Sequence, residues 1–296
     1  MTVTVKLIKT GKGMNTNMKY KKEVLLKVQA LEKMILQDFH NICKKHGADY
    51  FIMYGSGIGV ERHKDMIPWD DDIDVGMLRE DFNKIISVIK KDYSDKYEVL
   101  NFEENNKFPI VTTQIILKGT KFRVKEFKEI DCNFGIYLDV FPFDYVSNEK
   151  KEAEKQMKKA WFYNKLLILR NMGGPKLPFK GWKNRAVEII CNIIHGGLKL
   201  FHINPQKIYK NYMKQTAKYK DTDRIGFFGA TMPGTEIFYK KDIFPVIEKP
   251  FGDSVVKVPY NNDKILRHLY GDYMKLPAKE DRVNHCPIEL DFGAYK

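Results

Sequence analysis

Four aspartates, Asp70, Asp71, Asp72 and Asp74, crowd the stretch YGSGIGVERHKDMIPWDDDIDVGM that runs from Tyr54 to Met77. Like charges this close repel by tenths of a kcal/mol to about 1 kcal/mol even in water. Folding alone does not ask for them; a ligand of opposite charge does. In an extended chain, residues two apart share a face, so Asp70, Asp72 and Asp74 project together while Asp71 and Ile73 point the other way. Hard divalent cations take carboxylate oxygens and then phosphate oxygens, so the block outlines a site for Mg2+ or Mn2+ and a nucleotide. The calcium loop that also begins D-x-D-x-D is excluded, because Val75 stands where that loop needs glycine and Asp81 where it needs a bidentate glutamate.

Other residues nearby fit the same chemistry. Gly55, Ser56 and Gly57 form a glycine-rich turn whose backbone N–H groups and hydroxyl can approach a phosphate closely. Arg62, His63 and Lys64 add cations between that turn and the acids, and Arg62 has the planar fork suited to two phosphate oxygens. Asp139 is an acid inside the apolar run IYLDVFPFD, and buried acids are rarely left without a partner or ligand. Asp144, near the end of that run, reads as a turn residue or helix cap. His285 beside Cys286 lacks the further ligands of a zinc site.

The elements that must position these residues follow from periodicity. Apolar positions at helical spacing from Tyr20 to His46, ending in KKHGAD, predict a helix. YFIMYG predicts a buried strand stopped by glycines, DDIDVGML a second strand, and FPIVTTQIIL and FGIYLDVFPF two more. Long helices are predicted over Glu149–Arg170 and Trp182–Leu200, separated by NMGGPKLPFKG. Beyond Thr222 the chain returns to strands and turns, with an alternating strand leading through an asparagine turn into a helix in FGDSVVKVPYNNDKILRHLYGDYMKLP. The pattern predicts an α+β fold, a mixed-sheet core with an inserted basic helical subdomain. The divisions are 1–147 for the N-terminal helix and catalytic core, 148–220 for the insertion, and 221–296 for the part that completes the core.

With 296 residues, 43% of them hydrophobic, the chain can bury a sizeable core. Cys43, Cys132, Cys191 and Cys286 lie far apart without a CxxC pair, which fits a reducing cytoplasm better than a disulfide framework. The first residues, through KYKKE, lack the continuous apolar core of a signal peptide, and the apolar run from Ala186 to Phe201 is interrupted and too short to span a bilayer. The net charge of +13 is localised: residues 148–220 hold 17 of the 51 Lys and Arg but only 4 of the 38 Asp and Glu, leaving the rest balanced. Such a segment meets something anionic. Val187, Ile190, Ile194, Leu198 and Phe201 recur along one helical face, so an anionic membrane surface is the expected partner, with Lys176, Lys180, Lys183 and Arg185 among its contacts.

GSGIGVERHKDMIPWDDDIDVGM resembles the signature of the LicD family of phosphotransferases, which includes the fukutin-type enzymes. YLDVFPFD is similar to the family's second acidic strand, and NDKILRHLYGDYMKLP followed by RVNH to its C-terminal element. The resemblance covers most of the chain from about Phe39 to His285 and weakens over the basic helices and the N-terminal tail. It implies a nucleotidyltransferase-like fold in which Gly55 and Ser56 form the phosphate turn, and Asp72, Asp74 and Asp139 are the catalytic and metal-holding acids. It implies transfer of a substituted phosphate, phosphocholine or in some members ribitol phosphate, from a CDP-linked donor to a glycan hydroxyl, with CMP released. The acceptor would be a teichoic acid or other envelope polysaccharide, or a lipid-linked precursor met at the inner face of the cytoplasmic membrane. Gly55, Ser56, Arg62, His63 and Asp70, with Arg282 and His285, are the candidate substrate-binding residues. Ser56 and Glu61 depart from the family's commoner threonine or small residue and small residue, without touching the chemistry. A sugar-nucleotide glycosyltransferase and a nucleotidyltransferase acting on nucleic acid remain alternatives, although no nucleic acid partner is expected. A protein that only binds an anionic polymer leaves the aspartates unexplained.

Overall fold

The computed structural model describes residues 20–173 and 181–295, with the backbone alone at 181–184. The leader reading at residues 1–19, most of the break between the two long helices, and Lys176 and Lys180 lie outside the described residues, as does the side chain of Lys183. In chain order the elements are α1 (Lys22–Lys45), β1 (Phe51–Ile52), α2 (Tyr54–Ile58), β2 (Asp74–Leu78), α3 (Arg79–Asp92), β3 (Tyr97–Leu100), β4 (Thr113–Leu117), β5 (Lys121–Arg123) and β6 (Tyr137–Val146). Then come α4 (Lys150–Asn171), α5 (Gly181–Leu200), α6 (Pro205–Thr216), β7 (Arg224–Gly226), β8 (Ile237–Tyr239), α7 (Lys240–Ile243), β9 (Ile247–Phe251), β10 (Ser254–Val258), α8 (Asn262–Tyr270) and β11 (Glu289–Asp291).

The architecture is mixed α/β. Its main sheet runs β1-β2-β6-β4-β3, and β7 extends it by pairing with the far end of β6 and with β8. Among the described residues only β2 and β6 run parallel within it, with Asp74 opposite Asp139 and Gly76 opposite Phe141; the other pairs are antiparallel. Strand alternation then sorts the side chains. Val75, Met77, Leu138 and Val140 face Val28, Ile35 and Phe39 of α1 and Phe82, Ile85 and Ile89 of α3, building the larger core. The opposite face carries Asp74 and Asp139 at one end and, further along, Phe143 packed with Phe51, Phe227 and Ile265 in a second core. Gly76 is required there: a Cβ would come within 2.3 Å of the Phe51 ring, and its absence lets Phe51 meet Phe143 edge-on at 5.2 Å.

Several predicted elements change shape. The strand at YFIMYG pairs over two residues only, and Gly55–Ser56–Gly57 lie within the helix that follows rather than in a separate turn. That helix runs straight into a π-helical turn at Gly59–His63. β2 starts at Asp74, so Asp70 to Asp72 are extended chain leading into the strand. Asp144 is neither turn residue nor cap: it is a buried member of β6, bonded by Arg79 through Nε at 2.9 Å and Nη2 at 2.7 Å. The expected stripe on α5 also divides, because Val187 and Leu198 are half-buried while Ile190 and Phe201 stand in solvent. All four cysteines are free.

Candidate active site

The parallel pairing of β2 and β6 explains the site. Strands that run the same way in register bring their like-numbered faces side by side, so Asp74 and Asp139 are lateral neighbours rather than distant acids. Gln114 is Asp139's partner on the other side, from β4. The predicted alternation along the acid block shows in burial alone, because His285 Nδ1 reaches both Asp71 and Asp72. Asp71 and Ile73 are fully buried toward α1, while Asp72 retains some exposure on the Asp74 side.

Burial and mutual repulsion shape the charges here. Burial first, and then Asp72, Asp139, Asp70 and Glu236, push the Asp74 carboxyl well above the usual range. Asp70 is raised well above it in the same way, by burial and then Asp72. Asp139 is pushed up to about 7 by burial and Asp72, against an opposing hydrogen bond from Gln114, and its Oδ1 has no hydrogen-bond partner. Unpartnered buried carboxylate oxygens are costly, and a cation relieves that cost. Among the described residues no three His, Cys, Asp or Glu side chains form a finished metal cage. An all-oxygen set of a few carboxylates nevertheless suits Mg2+, which takes one or two carboxylates and completes its shell with water and substrate phosphates.

Local packing fixes these acids. Ser56 Oγ accepts the backbone N–H of Asp74 at 2.9 Å, tying the glycine-serine segment to the strand that bears the acid. Asp70 Oδ2 lies where it would be 3.0 Å from a Cβ at Gly55, so its carboxylate rests against that bare backbone. Asp71 works differently from its neighbours. It accepts from the Tyr20 hydroxyl at 2.7 Å and from the backbone N–H of His285 at 2.7 Å, strapping the C-terminal segment over the block.

The structure brings the sequence-predicted cations together from three places. His285 Nδ1 lies 3.4 Å from Asp71 and 3.3 Å from Asp72, and the hydrogen bond to Asp71 pushes its imidazole up to about 9. Arg282 stacks over Trp69 at 4.4 Å, and His63 meets the same ring edge-on. Burial, Arg62 and Arg282 lower His63 below the ordinary histidine range. Arg62 is partly occupied: its Nη1 donates to the carbonyls of Tyr273 at 2.5 Å and Lys275 at 3.3 Å, and its Nε to His63. The fork is therefore anchored through Nη1 to the loop after α8 and through Nε to His63.

Several residues around the block were not singled out by sequence reasoning. Glu32 of α1 is fully buried, with neither carboxyl oxygen bonded, and burial and then Asp71 push it well above the usual range. Its signal was legible, an acid at the core-facing position between Val28 and Ile35. Gln114, a polar residue in an apolar strand, was equally legible. Asp71 hid among its neighbours, and Tyr54, Glu236 and Tyr270 carried no signal at all because only the fold assembles them.

The family model described as LicD/FKTN/FKRP, nucleotidyltransferase domain, matches residues 47–178, which contain the glycine-serine segment and all the acids of the block and of β6. The chain is 31% identical over 279 residues to the lipopolysaccharide cholinephosphotransferase LicD of Haemophilus influenzae, covering 90% of this chain and 97% of that protein. A shorter similarity, 35% identity over 111 residues, joins it to an uncharacterised protein of Rickettsia typhi, covering 38% of this chain and 33% of that one.

Proposed function

The chain belongs to the LicD family, and from that premise we propose that it is a metal-dependent transferase. It moves phosphocholine from a CDP-linked donor to a hydroxyl of a cell-surface glycan or its lipid-linked precursor and releases CMP. The observation that carries this reading is the lateral pairing of Asp74 with Asp139 on parallel strands, with Asp72 beside them and Asp139 Oδ1 unpartnered. The transferred group is taken from the Haemophilus relative, which is named for choline phosphate transfer to lipopolysaccharide.

In this reading Asp72, Asp74 and Asp139 would hold Mg2+ or Mn2+, which on binding supplies positive charge to the diphosphate as its bond to the CMP oxygen breaks. The chain's own residues do the positioning. Ser56 fixes Asp74, and the bare Gly55 backbone lets the Asp70 carboxylate pack against it. Arg62 and Arg282, with His63 between them, present a positive wall to the departing nucleotide. His285, protonated at neutral pH, acts as a donor and counter-charge to Asp72 rather than as a base. A nucleotidyltransferase-like core made of 1–147 and 221–296, interrupted by the basic helices of 148–220, is the corresponding domain reading.

The basic helices belong to the proposal as its membrane-facing part, at the inner face of the cytoplasmic membrane. No single described helix is long and apolar enough to cross a bilayer, and α5 and α6 meet at a bend of 112°. Along and just after α5, however, Ile193 is 69% exposed and Phe201 75%, with Ile189, Ile190 and Leu200 also in solvent. An apolar face that no described residue covers, amid a strong basic excess, suits an interfacial helix on an anionic leaflet.

The deciding experiment incubates the protein and Mg2+ with CDP-choline, CDP-ribitol and CDP-glycerol and follows CMP. CMP release from CDP-choline, abolished by a chelator, is the expected outcome. Failure of every CDP donor in the presence of a suitable glycan acceptor would overturn the proposal.

A further inference from the structure

Beyond the acids, the same sheet face turns aromatic. Two residues along from Asp139 stands Phe141, opposite Gly76. Its ring meets Tyr54 edge-on at 5.0 Å and Phe227 edge-on at 5.1 Å. Tyr54 holds an uncommon positive φ of 51°, and its hydroxyl donates to Glu236, just before β8. The backbone carbonyl of Glu236 accepts the N–H of Phe227 at 3.1 Å, which ties the carboxylate's strand to the same rings. α8 closes another side. Its Leu266 packs on Gly57, and one turn further Tyr270 stands 47% exposed. After burial, the nearby carboxylates of Asp74 and Glu236 are the next largest influences on the Tyr270 phenol, so it stands within electrostatic reach of both the acid block and Glu236. Tyr54, Phe141 and Glu236 are half-buried. Neither the positioning of phosphate nor the ligation of a cation uses any of these side chains.

We propose that Tyr54, Phe141, Tyr270 and Glu236 form the binding site for the trimethylammonium head of the transferred group, three π faces closed by one carboxylate beside Asp74. The inference deepens the phosphocholine reading and rests on it. A quaternary ammonium has no N–H to donate, so its charge is best met by ring faces within about 6 Å, where its methyl groups are also buried against apolar surface. A primary ammonium in the same place can place one N–H on Glu236 but leaves the others facing ring carbon, and a ribitol or glycerol arm leaves hydroxyls there. The spacing is suitable. Phe141 lies about 6.6 Å along the strand from Asp139, at about 3.3 Å per residue, a distance that a phosphate and an extended two-carbon arm can span. The chemistry at phosphorus and the recognition of the head thus occupy successive positions on one face of β6.

The test is equilibrium binding by calorimetry, using the full chain with Mg2+ and CDP-choline, CDP-ethanolamine or CDP. CDP-choline is expected to bind roughly tenfold more tightly than CDP-ethanolamine, the scale of one desolvated cation–π contact. Tyr270→Ala and Glu236→Gln should shrink that preference to about twofold or less, whereas Tyr270→Phe, which keeps the ring, should preserve it. Equal binding of all three compounds by the wild type, or an undiminished preference in both Tyr270→Ala and Glu236→Gln, overturns the cage and leaves the CDP-donor reading standing. If no CDP compound binds, the donor reading fails instead, and phosphocholine alone decides the cage. Saturable binding that Tyr270→Ala weakens supports it, and no binding overturns it.

Discussion

β6 carries two acids, Asp139 near its start and Asp144 near its end, and the fold treats them in opposite ways. Asp144 is 4% exposed and fully answered, gripped at two points by Arg79, whose guanidinium also lies over Phe82 at 5.2 Å. Asp139 faces Asp74 across the strand pair and has one oxygen with no partner. Buried charge that is paired stabilises a particular fold, and buried charge left unpaired costs stability unless something else binds. The difference teaches where to look for chemistry: at the end of the strand where like charges have been left facing one another.

The comparison yields measurements of opposite sign, and the largest is at the paired end. Asp144→Ala leaves the Arg79 charge buried without its partner and should cost about 3–5 kcal/mol in a urea unfolding curve. The double variant Arg79→Leu with Asp144→Leu should recover most of that loss, and if it does not, the pair is more than a matched charge. At the unpaired end, Asp74→Asn should lower donor turnover at least a hundredfold, about 2.7 kcal/mol, while the protein stays folded. Turnover within tenfold of the wild type removes Asp74 from the site.

A smaller effect separates the two ends by sign. Because the folded-state value of Asp139 is raised to about 7, its contribution is fully favourable only below the unfolded value near 4 and is lost as pH rises through 7. Asp139→Asn should therefore stabilise the metal-free protein at pH 8, on the order of 1–2 kcal/mol after discounting for partial exposure, and do nothing below pH 4. Loss of stability at pH 8 would show that Asp139 is already answered, like Asp144. The smallest expected effect concerns His285, whose imidazole is pushed up to about 9 from 6.5. Its stabilising charge is present below pH 6.5 and fades as pH rises through 9. In metal-free protein, His285→Asn should flatten the fall in Tm over that window, and an unchanged profile would detach His285 from the acid block.

Much of this contrast was legible in the chain. The helix from Lys22 to Lys45, the strands bearing Asp74 and Asp139, and both long helices follow from apolar spacing, because periodicity reports which face an element buries. The paired fate of Asp144 was not legible, since its partner Arg79 begins a helix on another part of the chain. The glycine-serine segment misled for a related reason. Glycines usually end helices, but packing of α2 against Leu266 of α8 and the bond from Asp74 to Ser56 keep this one helical. On α5 the periodic stripe was visible, while its division into half-buried and solvent-facing residues depended on where α4 lies.

By itself the sequence determined which charges share a face, because residue type and alternation decide that before any packing occurs. Asp70, Asp72 and Asp74 were placed together in this way, and Asp139 was marked by its apolar surroundings. Tertiary structure alone decided which charges would meet. Register between β2 and β6 set Asp139 beside Asp74, the C-terminal segment brought Arg282 and His285 over Trp69 and Asp72, and the chain's return after β7 brought Glu236 to Tyr54. Those contacts join residues separated by tens to hundreds of positions, and no local pattern encodes them, because their energy is realised only once the chain has closed the loops between them.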